Sequence, residues 1–250
     1  MKFESKSHWS GELGREMYFN VYGHAGKPMI VFPSSGGNHH EYGNFGMIDA
    51  IRSHIERGLI RVYTPDSIDK ESWLATHKSP HDMAQAHNAY DRYIINELVP
   101  HIRHECQWGD GMIATGCSMG GFHTINFALR HPDLFDTAIA LSGVYDARFF
   151  THDYHGDQAV YFNSPIDYLW NQHDNWFLAR YRQSHYIIAV GQGAWEAQHI
   201  EDTRRLQDAF AAKNIDAWFD YWGHDVAHDW PAWRDMMPYF LGKLEEQGVI

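Results

Sequence analysis

The chain has 250 residues, 44% of them hydrophobic, a formal net charge of −12 and no Pro/Gly/Ser-rich linker, so one domain over 1–250 with a sizeable core is expected. The acidic balance, without any Lys/Arg run, excludes nucleic acid as a partner, and no apolar stretch approaches the roughly 20 residues that cross a bilayer, which excludes a membrane span. With only Cys106 and Cys117 a disulfide framework is not expected, and the first residues lack the apolar segment of a secretory signal, so a cytoplasmic location is expected.

Residues 17–22 alternate apolar and polar side chains as an edge strand does, whereas 29–32 and 59–63 are more continuously apolar and read as buried strands. A helix should begin at Ser79, with the serine as cap, Pro80 at the first helical position and Asp82 in the first turn; Ala86, Tyr90, Tyr93, Ile94 and Leu98 then continue at helical spacing. A strand at 112–115 leads into a helix at 122–130 that ends before His131-Pro132, because proline disfavours helical geometry in the residue before it. Strands at 138–141, 186–190 and 217–221 follow, with helices at 199–213 and 230–244. Strands separated by helix-length segments imply parallel βαβ units, hence an α/β chain folded as a three-layer α/β/α sandwich around a mostly parallel sheet.

The segment Gly116-Cys117-Ser118-Met119-Gly120-Gly121-Phe122 joins the strand at 112–115 to its helix and has the Gly-x-Ser-x-Gly form of a nucleophile elbow. Small residues two positions either side of the serine let neighbouring backbone approach, and the sharp turn lifts the hydroxyl out of the sheet. The Met119 N–H, at the start of the helix, then faces the space where an oxyanion would form.

A serine nucleophile needs a base and an orienting acid, and with this elbow they follow in the order Ser, Asp/Glu, His. After the last strand the chain reads Gly223-His224-Asp225-Val226-Ala227-His228-Asp229-Trp230-Pro231. His228 is the preferred base, because it immediately precedes a helix start capped by Asp229; His224 is the alternative. In the loop after the preceding strand Glu196 is the first carboxylate and the preferred acid, with Asp146, one strand earlier, as runner-up. Glu201 and Asp202 suit the first turn of the next helix. A second oxyanion donor is expected from the Ser34-Ser35-Gly36-Gly37 loop after an early strand, from the N–H of Ser35 or Gly36.

These motifs resemble the esterase group of the α/β-hydrolase superfamily, which includes esterase D-like enzymes, the enterochelin esterase catalytic domain and the antigen 85 mycolyltransferases. The resemblance rests on Gly116-Cys117-Ser118-Met119-Gly120-Gly121, on the Gly193-Ala194-Trp195-Glu196 turn where relatives place Gly-x-x-Asp, and on His228-Asp229-Trp230 with Trp233 where relatives have His-x-Trp-x-x-Trp. It implies a serine esterase with a Ser-His-Glu/Asp triad, a small-molecule ester substrate and no cofactor. Two other outcomes stay open: an acyltransferase using the same nucleophile, or a hydrolase-like binding protein without turnover. Metal-dependent catalysis is the rival of another class, with His39-His40, His152 with His155, and His224 with His228 as candidate ligands; their spacing is not diagnostic, and no metal is expected.

Residues 145–185 are dense in aromatics, including Phe149-Phe150, Tyr161-Phe162, Trp170 and Trp176-Phe177, and are expected to form a lid or a substrate-pocket insertion, with a partly buried structural excursion or a dimer contact as the competing readings. Phe45 and Met47 are candidates for the acyl side of a pocket or for the core.

Overall fold

In the computed structural model, which describes residues 1–250, eight strands form one sheet: β1 (Phe3–Ser10), β2 (Arg15–Tyr22), β3 (Lys27–Phe32), β4 (Ile60–Pro65), β5 (Met112–Cys117), β6 (Phe135–Leu141), β7 (His185–Val190) and β8 (Trp218–Tyr221). Their order is β1-β2-β4-β3-β5-β6-β7-β8. The pairs β1·β2 and β2·β4 are antiparallel and the rest parallel. Residues 17–22 therefore do not form an edge. The edge is β1, whose alternating exposed and half-buried residues, Phe3 to Trp9, are polar enough that no apolar period marks the strand.

Strand periodicity divides the core. Ile30, Phe32, Ala114, Ala138, Ala140 and Ile188 point to one face, while Met29, Val31, Ile113, Ile139, Leu141, Ile187 and Ala189 point to the other. Both faces are apolar, as a parallel sheet covered on two sides requires. We label the helices that matter here α1 (Glu41–Asn44), α2 (Pro80–Tyr93), α3 (Met119–Arg130), α4 (Ala197–Ala212) and α5 (Trp230–Glu246). The first face is covered by α2, α3 and α4, the second by α5 and the helical turns at Met47–Ala50 and Arg52–Glu56. The result is the three-layer α/β/α sandwich.

Ser79 caps α2 by accepting from the Asp82 N–H at 3.1 Å. Beyond Tyr93 the helix widens into a π stretch, Ile94–Leu98, before Val99–Cys106. Pro100 accounts for this: its ring would crowd the carbonyl four residues back, and widening relieves the clash.

The segment 145–185 forms four short helices and divides between two surroundings. Tyr145, Ile166, Tyr168, Leu169, Leu178 and Tyr181 join the large core cluster. Phe150, Tyr154 and Val160 instead pack with Trp73, Met119 and Phe122 beside the elbow. Met47 is fully buried in the core, while Phe45 is 48% exposed. No helix is long and apolar enough to cross a membrane.

Candidate active site

Parallel strands open their loops at one edge of the sheet, and four of those loops build the site. At the end of β5, Ser118 takes φ 58° and ψ −121°, a conformation that costs a non-glycine residue about 1–3 kcal/mol and persists only where its surroundings impose it. The two flanking glycines explain how. A side chain at Gly116 would collide with the backbone of Gly120 and with the Phe32 carbonyl, and one at Gly120 would collide with that same carbonyl. The loop after β3 thus lies directly on the first turn of α3. The Met119 N–H, at the first position of α3, has no intrahelical acceptor.

From the loop after β8, His228 places Nε2 2.9 Å from Ser118 Oγ, and its Nδ1 lies 3.1 Å from Glu196 Oε2. The assignment consistent with both contacts is Nδ1–H donating to the carboxylate and Nε2 accepting from the serine hydroxyl. His228 is held by its own N–H donating to the Ala194 carbonyl at 2.9 Å and by edge-on packing against Trp233 at 5.0 Å. Asp229 caps α5 by accepting from the Trp230 N–H at 2.7 Å. The loops after β7 and β8 approach so closely that a side chain at Gly191 would collide with the Val226 carbonyl, which also accepts from Gly193 N–H at 2.8 Å.

Glu196 is completely buried. Its Oε1 accepts from the Ser142 hydroxyl at 2.6 Å, and Ser142 Oγ in turn accepts from Trp233 Nε1–H at 3.0 Å. A hydroxyl, itself held by the indole, and an imidazole thus satisfy a carboxylate that would otherwise be costly to bury. The adjacent Trp195 takes φ 69° and is 85% exposed.

His199, on the first turn of α4, stacks on His228 at 4.1 Å between ring centroids, with its Nδ1 3.5 Å from Glu196 Oε2. Burial, reinforced by the neighbouring His228, pushes its pKa down from the usual 6.5 to about 4. His199 is therefore neutral at neutral pH, and it presents a ring face to His228. Glu196, His199 and His228 are also the one grouping of three potential metal ligands. Their arrangement does not suit an ion, because both ring nitrogens of His228 are already engaged, Nε2 with Ser118 Oγ and Nδ1 with Glu196 Oε2.

The buried neutral His199 has a consequence for stability. A histidine whose folded pKa lies below its unfolded value binds protons more readily when unfolded, so its contribution is full above about pH 6.5 and is lost as pH falls toward 4. At about 1.4 kcal/mol per pKa unit, the loss is of order 3 kcal/mol. His87, fully buried and pushed well below the usual range by desolvation, acts in the same direction. His199→Phe keeps the stack without the titration and should flatten the fall in urea midpoint between pH 7 and pH 4.5; an unchanged slope would refute this assignment.

Asp146 is elsewhere. Its carboxylate accepts from Arg148 Nη1 at 2.9 and 3.1 Å and from Arg205 Nη1 at 2.8 Å, and it has no contact with His228. His224 is exposed on the loop before His228. His39 pairs with Asp66 at 2.5 Å, and His155, exposed, pairs with Asp153 at 3.1 Å. These histidines do not converge on a common point. Ser142 and His199 are the two neighbours of the site that the sequence reading did not single out; the Ser-Gly pair directly after β6 is the one signal that marks Ser142.

The oxyanion candidates lie in a tight turn: Gly37 N–H donates to the Ser34 carbonyl at 2.9 Å and Gly36 has φ 66°. Neither the Ser35 nor the Gly36 N–H donates to a protein acceptor. Three exposed aromatics surround this region of loops. Phe45 stacks on Trp230 at 4.7 Å, Phe149 lies 6.5 Å from His199, and Trp195 precedes Glu196. A cavity of about 1060 Å³ lies away from this site, at the far end of α3, around Leu129, Arg130 and His131, against α2 and residues 157–181.

The sheet order and loop arrangement are those of the α/β-hydrolase fold. The chain belongs to the family described as "Putative esterase", whose model matches residues 10–244. Among solved structures it is similar to a ferulic acid esterase (17% identity, TM-score 0.74, covering 96% of this chain and 95% of that one). It is also similar to the S-formylglutathione hydrolase of Staphylococcus aureus (21%, 0.70, 97% and 96%) and to fluorophosphonate-binding serine hydrolase F of the same organism (19%, 0.71, 97% and 98%). A comparison with curated proteins found no match.

Proposed function

We propose that the protein is a serine hydrolase that cleaves carboxylic esters of small molecules through an acyl-enzyme. The observation that carries this reading is the unbroken hydrogen-bonded chain from Ser118 Oγ through His228 to the buried Glu196, at 2.9 and 3.1 Å. Ser118 attacks the ester carbonyl while His228 Nε2 takes its proton, and Glu196 fixes the tautomer and offsets the imidazolium charge. The N–H groups of Met119 and of Ser35 or Gly36 receive the negative charge on the former carbonyl oxygen. His228 then returns the proton to the departing alcohol, and water activated by the same imidazole releases the acid. All of these groups are supplied by the protein.

Membership of the esterase family supports the reaction class, as do neighbours described as an esterase and as serine hydrolases. Phe149, at the start of the 145–185 insertion and 51% exposed beside His199, supports a role for that insertion in walling the pocket with an aromatic surface.

The test is direct observation of the intermediate. Rapid mixing with p-nitrophenyl acetate should give a burst of nitrophenol stoichiometric with enzyme, and acid quenching should leave one acetyl group on the peptide containing Ser118. Acetyl found elsewhere, or none at any time point despite steady turnover, would refute the mechanism. Adding competing alcohols to the same reaction distinguishes hydrolysis from acyl transfer: free acetate should remain the main product.

A further inference from the structure

We infer that Glu41 is a positioning residue, a buried carboxylate that holds the Ser34–Gly37 turn so that the Ser35 and Gly36 N–H groups stay free to face an oxyanion. The inference rests on the proposed role of Ser118 as nucleophile.

Glu41 opens α1, seven residues after Ser34, and is only 9% exposed. Both of its carboxylate oxygens are engaged by one residue: Oε2 accepts from the Ser34 N–H at 2.7 Å and Oε1 from the Ser34 hydroxyl at 2.6 Å. No lysine, arginine or histidine pairs with it. A buried carboxylate without a cation is expensive to keep. Burial accordingly raises the Glu41 carboxyl above its ordinary range, and the two Ser34 bonds oppose that rise.

The backbone around this pair is shaped to admit it. A side chain at Gly37 would collide with Glu41 Oε1, so the turn passes over the carboxylate at a distance only glycine allows. Glu41 is itself anchored, its N–H donating to the Asn38 carbonyl at 3.0 Å and its carbonyl accepting from Phe45 N–H at 3.0 Å. On the other side, the Ser67 hydroxyl donates to the Gly37 carbonyl at 2.8 Å.

The consequence is selective. Of the turn's four N–H groups, Gly37's closes the turn and Ser34's goes to Glu41, which leaves Ser35 and Gly36 as the two with no protein partner. Without Glu41 the Ser34 N–H would also lack a partner, and the peptide planes that now present Ser35 and Gly36 would be free to rotate. Because oxyanion donors act by being already oriented when charge develops, that freedom falls on the transition state more than on the bound ester.

The experiment compares Glu41→Ala, Glu41→Gln and Ser34→Ala with wild type, measuring kcat and KM for p-nitrophenyl acetate and the affinity of phenylboronic acid, whose tetrahedral anionic adduct on serine mimics the charged intermediate. Glu41→Ala should lower kcat by about 10- to 100-fold, less than the roughly 10²–10³ expected for deleting a donor outright. KM should stay within about threefold, and boronate affinity should fall by the same factor as kcat/KM. Glu41→Gln should recover part of this loss while staying at least threefold below wild type, because its amide oxygen still accepts the Ser34 N–H but as a neutral, weaker acceptor, and Ser34→Ala, which keeps the charged bond, should be milder still. Wild-type kcat in both Glu41 variants overturns the inference, as does a change confined to KM. If Glu41→Ala does not fold, Glu41→Gln decides, with kcat reduced at least threefold alongside boronate affinity supporting the clamp and wild-type values refuting it. Fluorophosphonate labelling separates this from failure of the serine reading: unlabelled Ser118 in wild type removes the nucleophile, whereas labelled Ser118 with unimpaired Glu41 variants removes only the clamp.

Discussion

Ser118→Ala should lower kcat for p-nitrophenyl acetate by about 10⁴- to 10⁶-fold and abolish fluorophosphonate labelling, while leaving the thermal midpoint nearly unchanged. The substitution removes one half-buried oxygen whose single side-chain contact is His228 Nε2. Alanine must adopt the same φ of 58°, so the strain at the elbow is inherited rather than relieved. His228→Ala should cost a similar factor, and the double variant little more than either single one, because nucleophile and base act as a unit. His224→Ala should stay within about threefold of wild type, since that imidazole is exposed and makes no hydrogen bond with Ser118 or Glu196. Undiminished turnover in Ser118→Ala would end the serine mechanism whatever the geometry suggests.

The residues that stand together here were legible where chain position constrains them strongly. A parallel α/β sheet delivers its functional loops from strand ends, so the residues after β5, β7 and β8 had to share one edge once those strands were recognised. That logic singles out Ser118, Glu196 and His228 without any contact being visible in the sequence. It cannot reach residues that act across long separations without a motif. Ser142 meets Glu196 from 54 positions away, and Glu41 opens a four-residue helix that has no period to read. His199 is outwardly one polar residue on the first turn of α4, and only the packing reveals that it lies flat against His228.

The fold shows the same division. The buried strands announce themselves through continuous apolar runs, but β1 does not, because a solvated edge strand has no buried face to impose an apolar period. That omission misplaced the sheet's edge by one strand. The aromatics of 145–185 were ambiguous for a related reason: a ring buries well in a core and equally well in a pocket wall. Packing resolves them one at a time, with Tyr145, Tyr168 and Tyr181 in the main core, Phe150 against the elbow helix and Phe149 open beside His199.

Glu196→Gln should lower kcat by about 10³- to 10⁴-fold with a small change in stability, whereas Asp146→Asn should leave kcat within about threefold of wild type. The reason lies in how the amide must fit. If its oxygen keeps the Ser142 hydroxyl as donor, its NH₂ faces His228 Nδ1, which must then accept; the imidazole proton moves to Nε2, and Nε2 can no longer take the proton of Ser118. If the amide flips, its NH₂ meets Ser142 Oγ, which already accepts from Trp233, and the serine's own hydrogen loses its buried acceptor. Either way the negative charge that offsets the imidazolium is gone. Asp146 has different work. It links Arg148 and Arg205, both about 40% exposed, and ion pairs at that exposure contribute at most about 1 kcal/mol each. The loss in Glu196→Gln should be the same for acetyl and longer acyl esters, because it acts on a proton transfer common to all of them rather than on the pocket. Near-wild-type kcat in Glu196→Gln together with collapse in Asp146→Asn would move the acid to the loop after β6, and would leave the complete burial of Glu196 beside His228 without a catalytic explanation.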